Sequence, residues 1–189
     1  MSEKVIIENA RGSYVYVKDQ RQKKNKGPDG WGIQVIFPKD HPQLKKIKRA
    51  IDKVLVEKFG ESALKKKGMY KLPLRDGDEE RDGAEYEGQY FLNANSKKKR
   101  PGAVTRSNQK PDEDDWDEMG YSGCYFHVSV NFYAFEGQEG GKPGVAVGLN
   151  NIMFRKAGDR LDGSVAASNE FSSFEDEDNG SNDNWDDEL

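Results

Sequence analysis

The chain has a single cysteine, Cys124, and two histidines, His41 and His127, in 189 residues. One cysteine excludes an internal disulfide, and so few Cys and His residues exclude a dedicated Cys/His zinc site. No apolar run is long enough to span a bilayer. The N-terminal stretch MSEKVIIENARG lacks the apolar core of a secretory signal. A reducing cytoplasm is the expected compartment. The final Asp-Asp-Glu-Leu resembles an ER-retention signal, but with no secretory signal nothing would read it. No glycine-rich loop ends in Lys-Ser or Lys-Thr, so a P-loop nucleotide site is absent from the pattern. Apolar residues are scarce at 34%, equal to the charged fraction of 34%. That is lean for a globular domain, so part of the chain is expected to lie outside any core.

What the chain does have is charge, unevenly placed. The net charge of −4 hides two halves of opposite sign. Residues 1–110 hold 26 Lys and Arg against 15 Asp and Glu, whereas residues 111–189 hold 4 against 19. The last twenty residues carry nine acids and no base. A positive body with a negative tail suits a polyanion binder that carries its own competitor. A solvated surface with a solubility tail would show the same count.

Alternation and turn signals predict strands at 5–7, 13–17, 31–37, 86–93, 121–135 and 144–149, with 152–154 continuing the last and a short strand at 103–106. Residues 18–30 form a Lys- and Arg-rich loop, 71–83 a loop, 96–100 a basic turn and 111–118 an acidic loop. One helix stands out. Asp40 is the expected N-cap, Pro42 suits the first turn, and Leu44, Ile47, Ile51, Val54, Leu55 and Phe59 make an apolar stripe ending at Gly60. A short second helix is expected near 61–67. From residue 163 the composition turns to Ser, Asn, Asp and Glu, which predicts disorder. The expected fold is mainly β: an OB-fold-like antiparallel barrel of five to six strands with one amphipathic α-helix, over residues 1–162. A disordered acidic C-terminal tail follows at 163–189.

The strand at 121–135 carries the clearest functional pattern. Phe126, Val128, Val130, Phe132 and Ala134 fall on one face, which predicts core. Tyr125, His127, Ser129, Asn131, Tyr133 and Phe135 fall on the other, where aromatics among polar residues suit base stacking. Tyr14 and Tyr16 repeat the outward pattern, and Trp31 and Phe91 add rings. Cations for phosphates are expected from Arg21, Lys23, Lys24 and Lys26 in one loop, and from Lys97, Lys98, Lys99, Arg100 and Arg106 in another. The helix lysines are read as a solvated face.

Two other chemistries are open. Asp76, Asp78, Glu79, Glu80 and Asp82 cluster tightly, which a metal-dependent nuclease could use. The same acids could instead line a solvated turn or pair with Arg75 and Arg81. As a calcium loop the segment fails, because Gln89 stands where the bidentate glutamate belongs. Cys124 and His127 sit three apart on a strand, on opposite faces, so they form no nucleophile–base pair. A protein–protein adaptor working through the acidic tail is the second alternative.

Several phrases carry a resemblance. They are Gly30-Trp31-Gly32 running into Ile36-Phe37-Pro38-Lys39, Pro73-Leu74-Arg75-Asp76-Gly77-Asp78, Gly88-Gln89-Tyr90-Phe91-Leu92-Asn93-Ala94, Tyr121-Ser122-Gly123-Cys124-Tyr125, and Gly144-Val145-Ala146-Val147-Gly148-Leu149-Asn150-Asn151. Over roughly residues 5–171 the chain resembles the OB-fold single-stranded-DNA-binding proteins of tailed phages. The resemblance implies a non-enzymatic, cofactor-free accessory of phage DNA replication or recombination, acting in the bacterial host cell. It implies single-stranded DNA as partner and replication proteins recruited by the acidic tail, whose end is Trp185, Asp186, Asp187, Glu188 and Leu189; duplex DNA stays open as a further partner once the tail is removed. Here the tail ends in Leu189, where many phage and bacterial binders end in Phe.

Overall fold

The computed structural model describes residues 2–21 and 29–163. Seven strands run in chain order: β1 (Glu3–Arg21), β2 (Gly30–Pro38), β3 (Arg75–Asp76), β4 (Gln89–Ser96), β5 (Gly102–Val104), β6 (Tyr125–Phe135) and β7 (Gly144–Lys156). The helices are α1 (Leu44–Phe59), α2 (Ser62–Lys65), α3 (Gly77–Glu80) and α4 (Glu113–Met119).

Five strands close a barrel in the order β1–β2–β4–β7–β6 and back to β1. Every pairing in the ring is antiparallel except β4 with β7, which meet in parallel at Asn95 and Gly148. An odd ring cannot alternate direction throughout, so one parallel closure is obligatory. The order is that of an OB-fold. β5 adds a second parallel pairing outside the ring, on β7.

The two strands expected at 5–7 and 13–17 are one strand of 19 residues. β1 pairs with β6 through its first half and with β2 through its second. It has three register shifts, from Ile7 to Ala10, from Ser13 to Tyr16 and from Tyr16 to Arg21. The first two each contain a non-glycine residue at positive φ, Asn9 at 49° and Tyr14 at 48°. Extra residues of this kind bend a strand and raise its twist, as a closing barrel requires.

β6 follows the expected alternation: Phe126, Val128, Val130 and Phe132 are buried and join Ile7, Val35, Phe37, Leu92 and Phe154 in the core. Burying each large side chain contributes about 1.5–3 kcal/mol. α1 lays Ile47, Ala50, Ile51, Val54 and Leu55 on the barrel, against β1, β6 and β7. Its N-cap is Gln43, not Asp40, and no side chain caps it. Gly60, at φ 81°, ends it, its N–H donating to the Val56 carbonyl. Several lysines on and near the helix are ion-paired: Lys53 with Glu3, Lys58 with Glu136 and Lys67 with Asp52.

Two expected loops contain helices. Residues 111–118 hold α4, started by a capping box in which Asp112 and Asp115 accept each other's backbone N–H. Trp116 anchors this acidic helix, edge-on to Phe154 at 5.2 Å. Seven residues are too few to show an apolar stripe, which is why periodicity passed over it. Residues 71–83 hold β3 and the one-turn α3, whose N-cap Asp76 accepts from the Asp78 N–H. Among the described residues no helix is long and apolar enough to cross a membrane.

Candidate nucleic-acid interface

Cross-strand pairing sets the outer face of β1, β2 and β4 in three rows. Arg11, Ile36 and Phe91 form the first, Ser13, Gln34 and Asn93 the second, and Tyr16, Gly32 and Asn95 the third. Ser13 and Tyr16 are three residues apart yet share a face, because the shift at Tyr14 inserts one extra residue. The insertion also turns Val17 into the core, where it is fully buried.

The second and third rows floor a groove. Its lining includes Tyr14, Tyr16, Arg21, Gln34, Asn93 and Asn95 from the sheet. Arg81, Glu85 and Tyr86, from the segment between β3 and β4, and Tyr121, Ser122 and Leu161 complete its lining. A smaller depression adjoins it beyond Tyr16, where Lys18, Trp116 and Arg160 meet. Tyr14 is 58% exposed, the most open large ring of the described chain. Three guanidinium groups lie over tyrosine rings along this face: Arg21 over Tyr16 at 4.9 Å, Arg81 over Tyr86 at 5.8 Å and Arg160 over Tyr121 at 4.0 Å. Planar cations over rings suit both base stacking and phosphate contact. Burial pushes the Tyr86 and Tyr121 hydroxyls above their ordinary range, so both stay protonated donors at neutral pH.

The first row is roofed. Phe91 is fully buried in a small cluster with Ile36 and Tyr86, and Leu161 packs on it. Its ring faces outward from the barrel, as alternation predicts, but the segment between β3 and β4 covers it. Phe91 is thereby corrected from a DNA-stacking candidate to a core residue.

The model described as Enterobacter phage Enc34, ssDNA-binding protein, matches residues 3–181 of the chain. The chain belongs to this family. Protein p50 of Acyrthosiphon pisum secondary endosymbiont phage 1 is 31% identical over 173 residues, covering 87% of this chain and 90% of that protein. Among solved structures, the single-stranded DNA-binding protein of bacteriophage Enc34 in complex with ssDNA matches at a TM-score of 0.66 and 20% identity, covering 84% of this chain and 89% of that one. Gp2.5, a single-stranded DNA binding protein encoded by bacteriophage T7, matches at 0.62 and 12% identity over 96% and 98%. These structural likenesses establish the fold as that of the phage OB-fold proteins.

The remaining candidates of this family member divide by position. Tyr14 and Tyr16 lie in the groove. Trp31 is half-buried at the start of β2, opposite Ser96, on the side of the strand that carries Ile33, Val35 and Phe37. Lys97, Lys98, Lys99 and Arg100 are exposed and follow β4 directly. Gly30, at φ 103°, packs against the backbone of Ser96 and Lys97. A side chain there would clash, and the close approach brings the basic turn beside the end of the Lys-rich loop. Arg100 also donates to the Val17 carbonyl at 3.2 Å and covers Trp116 at 5.8 Å. Arg106 is exposed beyond β5, outside the groove lining. Lys23, Lys24 and Lys26, and the tail residues Trp185 to Leu189, lie outside the described residues.

Tyr125, His127 and Tyr133 project from β6, on a different part of the barrel. Neither concavity takes a residue from β6 or β7. Tyr125 lies under Lys156 at 4.5 Å and Arg11 at 5.9 Å. His127 Nδ1 accepts from the Asn9 N–H at 3.0 Å. The alternation placed these rings outward, but the groove is built elsewhere.

Three acids of the cluster are engaged internally, Asp76, Asp78 and Glu80. Lys39 bridges Asp76 at 2.6 Å and Asp78 at 2.7 Å, and Arg75 pairs with Glu80. Lys39 and the Gly88 N–H hold the Asp78 carboxyl below its ordinary range. Arg81 covers the Phe91 ring at 5.1 Å, and among the described residues it forms no ion pair. Among the described residues, no three of His, Cys, Asp and Glu gather as metal ligands would.

Sequence reasoning did not single out Gln34, Asn93, Asn95, Arg81, Tyr86, Tyr121 or Arg160. One signal was available: Asn93-Ala94-Asn95 alternates polar and apolar, so both amides share the outward face.

Proposed function

We propose that this protein binds single-stranded DNA without strong sequence preference, coating transient single strands during phage DNA replication or recombination in the bacterial host cell. The observation that carries the reading is the groove across β1, β2 and β4, floored by amides and rimmed by tyrosine–arginine stacks, in a chain of this family. OB-folds bind oligonucleotides across this face and the loop joining the first two strands. Tyr14 and Tyr16 stack bases. Arg21 and Arg81, with Lys23, Lys24, Lys26 and Lys97 to Arg100, neutralise phosphates. Trp31 supports the basic turn from the start of β2. Tyr125, His127, Tyr133 and Arg106 are a secondary track at most.

The tail from residue 163 acts as a tethered polyanion that competes for the groove and, through Trp185 to Leu189, recruits replication proteins. Duplex DNA becomes a ligand when the tail is gone. The body works as a binder, not as an enzyme. The pairing of Asp76, Asp78 and Glu80 with Lys39 and Arg75 favours a structural role over the nuclease alternative, and the groove disfavours an inert adaptor body.

The test is a titration of labelled single- and double-stranded oligonucleotides against the full chain and a chain truncated after Asn169, across salt and with Mg²⁺ present. The expected result is single-strand binding that weakens with salt, tighter binding after truncation, and intact DNA. Equal affinity with and without the tail at matched salt removes the competitor role. DNA cleavage revives the nuclease.

A further inference from the structure

The middle row of the groove floor holds a directed chain of hydrogen bonds. Gln34 is only 4% exposed, so both ends of its amide need partners. The Tyr86 hydroxyl donates to Gln34 Oε1. Gln34 Nε2 then donates to Asn93 Oδ1 at 3.0 Å. Ser13, the third member of the row, is buried and pairs across the strands with Gln34. The chain therefore runs from the Tyr86 hydroxyl through the Gln34 amide to Asn93 Oδ1, and it holds the Asn93 amide by its oxygen.

Asn93 is itself exposed and lines the groove. Its oxygen is committed to Gln34. Its Nδ2 carries two donors, and no described residue accepts from them. Satisfying Gln34 needs only the oxygen, so the donors are surplus to the fold. Tyr14, Tyr16 and Arg81 line the same groove, where a stacked base would lie.

We propose that Asn93 is a base-reading residue: its oriented Nδ2 donates to a ring carbonyl of a bound base. With Oδ1 committed to Gln34, the two-bond contact by which an asparagine reads adenine is blocked, and the remaining donor favours the carbonyl oxygens of thymine, cytosine or guanine over adenine, whose acceptors are ring nitrogens flanked by its amino donor. Gln34 and Tyr86 are the positioning residues behind it. This inference rests on the groove being the single-strand site, and it adds a mild base preference to a binder read as sequence-tolerant.

The experiment measures the affinities of the full chain for homothymidine and homoadenosine oligonucleotides of equal length, for the wild type, Asn93→Leu and Asn93→Asp. Asn93 is exposed, so both variants are expected to fold. Asn93→Asp also keeps the acceptor that Gln34 needs. The ratio of thymidine to adenosine affinity should fall in both variants, roughly two- to tenfold, the reach of one net hydrogen bond. The ratio cancels the uniform repulsion that the new aspartate exerts on any phosphate chain, and it cancels differences in how the two oligonucleotides stack on themselves. An unchanged ratio in both variants overturns the inference, even where absolute affinities drop, and leaves the groove reading standing. A wild-type chain that binds neither oligonucleotide overturns both.

Discussion

The outer face of β1–β2–β4 and the outer face of β6 look alike in sequence, since both alternate aromatic or polar residues with apolar ones. They differ in what stands around them. The β1–β2–β4 face gains walls from the segment between β3 and β4 and from residues near Tyr121 and Leu161. The β6 face contributes to neither concavity, and two of its rings are taken up locally, Tyr125 by Lys156 and Arg11, His127 by Asn9. Alternation therefore tells which side chains leave the core. It does not tell which part of a closed barrel becomes a groove, because walls come from segments distant in sequence.

The largest expected effect separates roofed from open residues on the groove side. Phe91→Ala should destabilise the fold by about 3–5 kcal/mol, read by urea unfolding, because it empties a fully buried site. A mild loss of stability with a large loss of DNA affinity would return Phe91 to the interface.

Next comes the contrast between rings on the two faces. Tyr14→Ala should weaken single-strand binding by about 1–3 kcal/mol, and Tyr133→Ala by less than about 0.5 kcal/mol, measured by fluorescence anisotropy. Equal losses would join the two faces into one track. Tyr14→Gly sharpens the point. Glycine tolerates the φ of 48°, so this variant should fold at least as stably as Tyr14→Ala while binding DNA just as weakly.

Smaller effects follow from the cations. Arg21→Ala and Arg81→Ala should each reduce the slope of log affinity against log salt by roughly 0.7–1, the change expected when one phosphate is no longer neutralised. Arg106→Ala, outside the groove lining, should leave the slope unchanged.

The smallest concerns His127. Burial, and then the charge of Arg155, hold its imidazole below the ordinary range. The unfolded chain therefore takes up the proton first as pH falls. Stability should be full above about pH 6.5 and decline below it, and His127→Gln should flatten that decline. DNA affinity, measured where both variants are folded, should be the same for each.

Much was legible in the sequence. The apolar face of β6, the α1 stripe, the basic turn after β4 and the outward tyrosines of β1 all follow from period and charge. α4 was not legible, since a short helix of acids with one buried tryptophan has no period to detect. The bulge at Tyr14 was not legible either. Its positive φ is imposed by a strand shared between two partners, and a tyrosine gives no local sign of it.

The residue pattern alone determined a mainly β body, its core faces and the concentration of cations in loops, because those depend on side-chain period and composition along the chain. Tertiary structure alone decided that five strands close with one parallel pairing, that Phe91 lies beneath a roof, and that Ser13, Gln34 and Asn93 share a row. Each depends on register between segments far apart in sequence, and a one-residue shift in register moves every side chain to the opposite face.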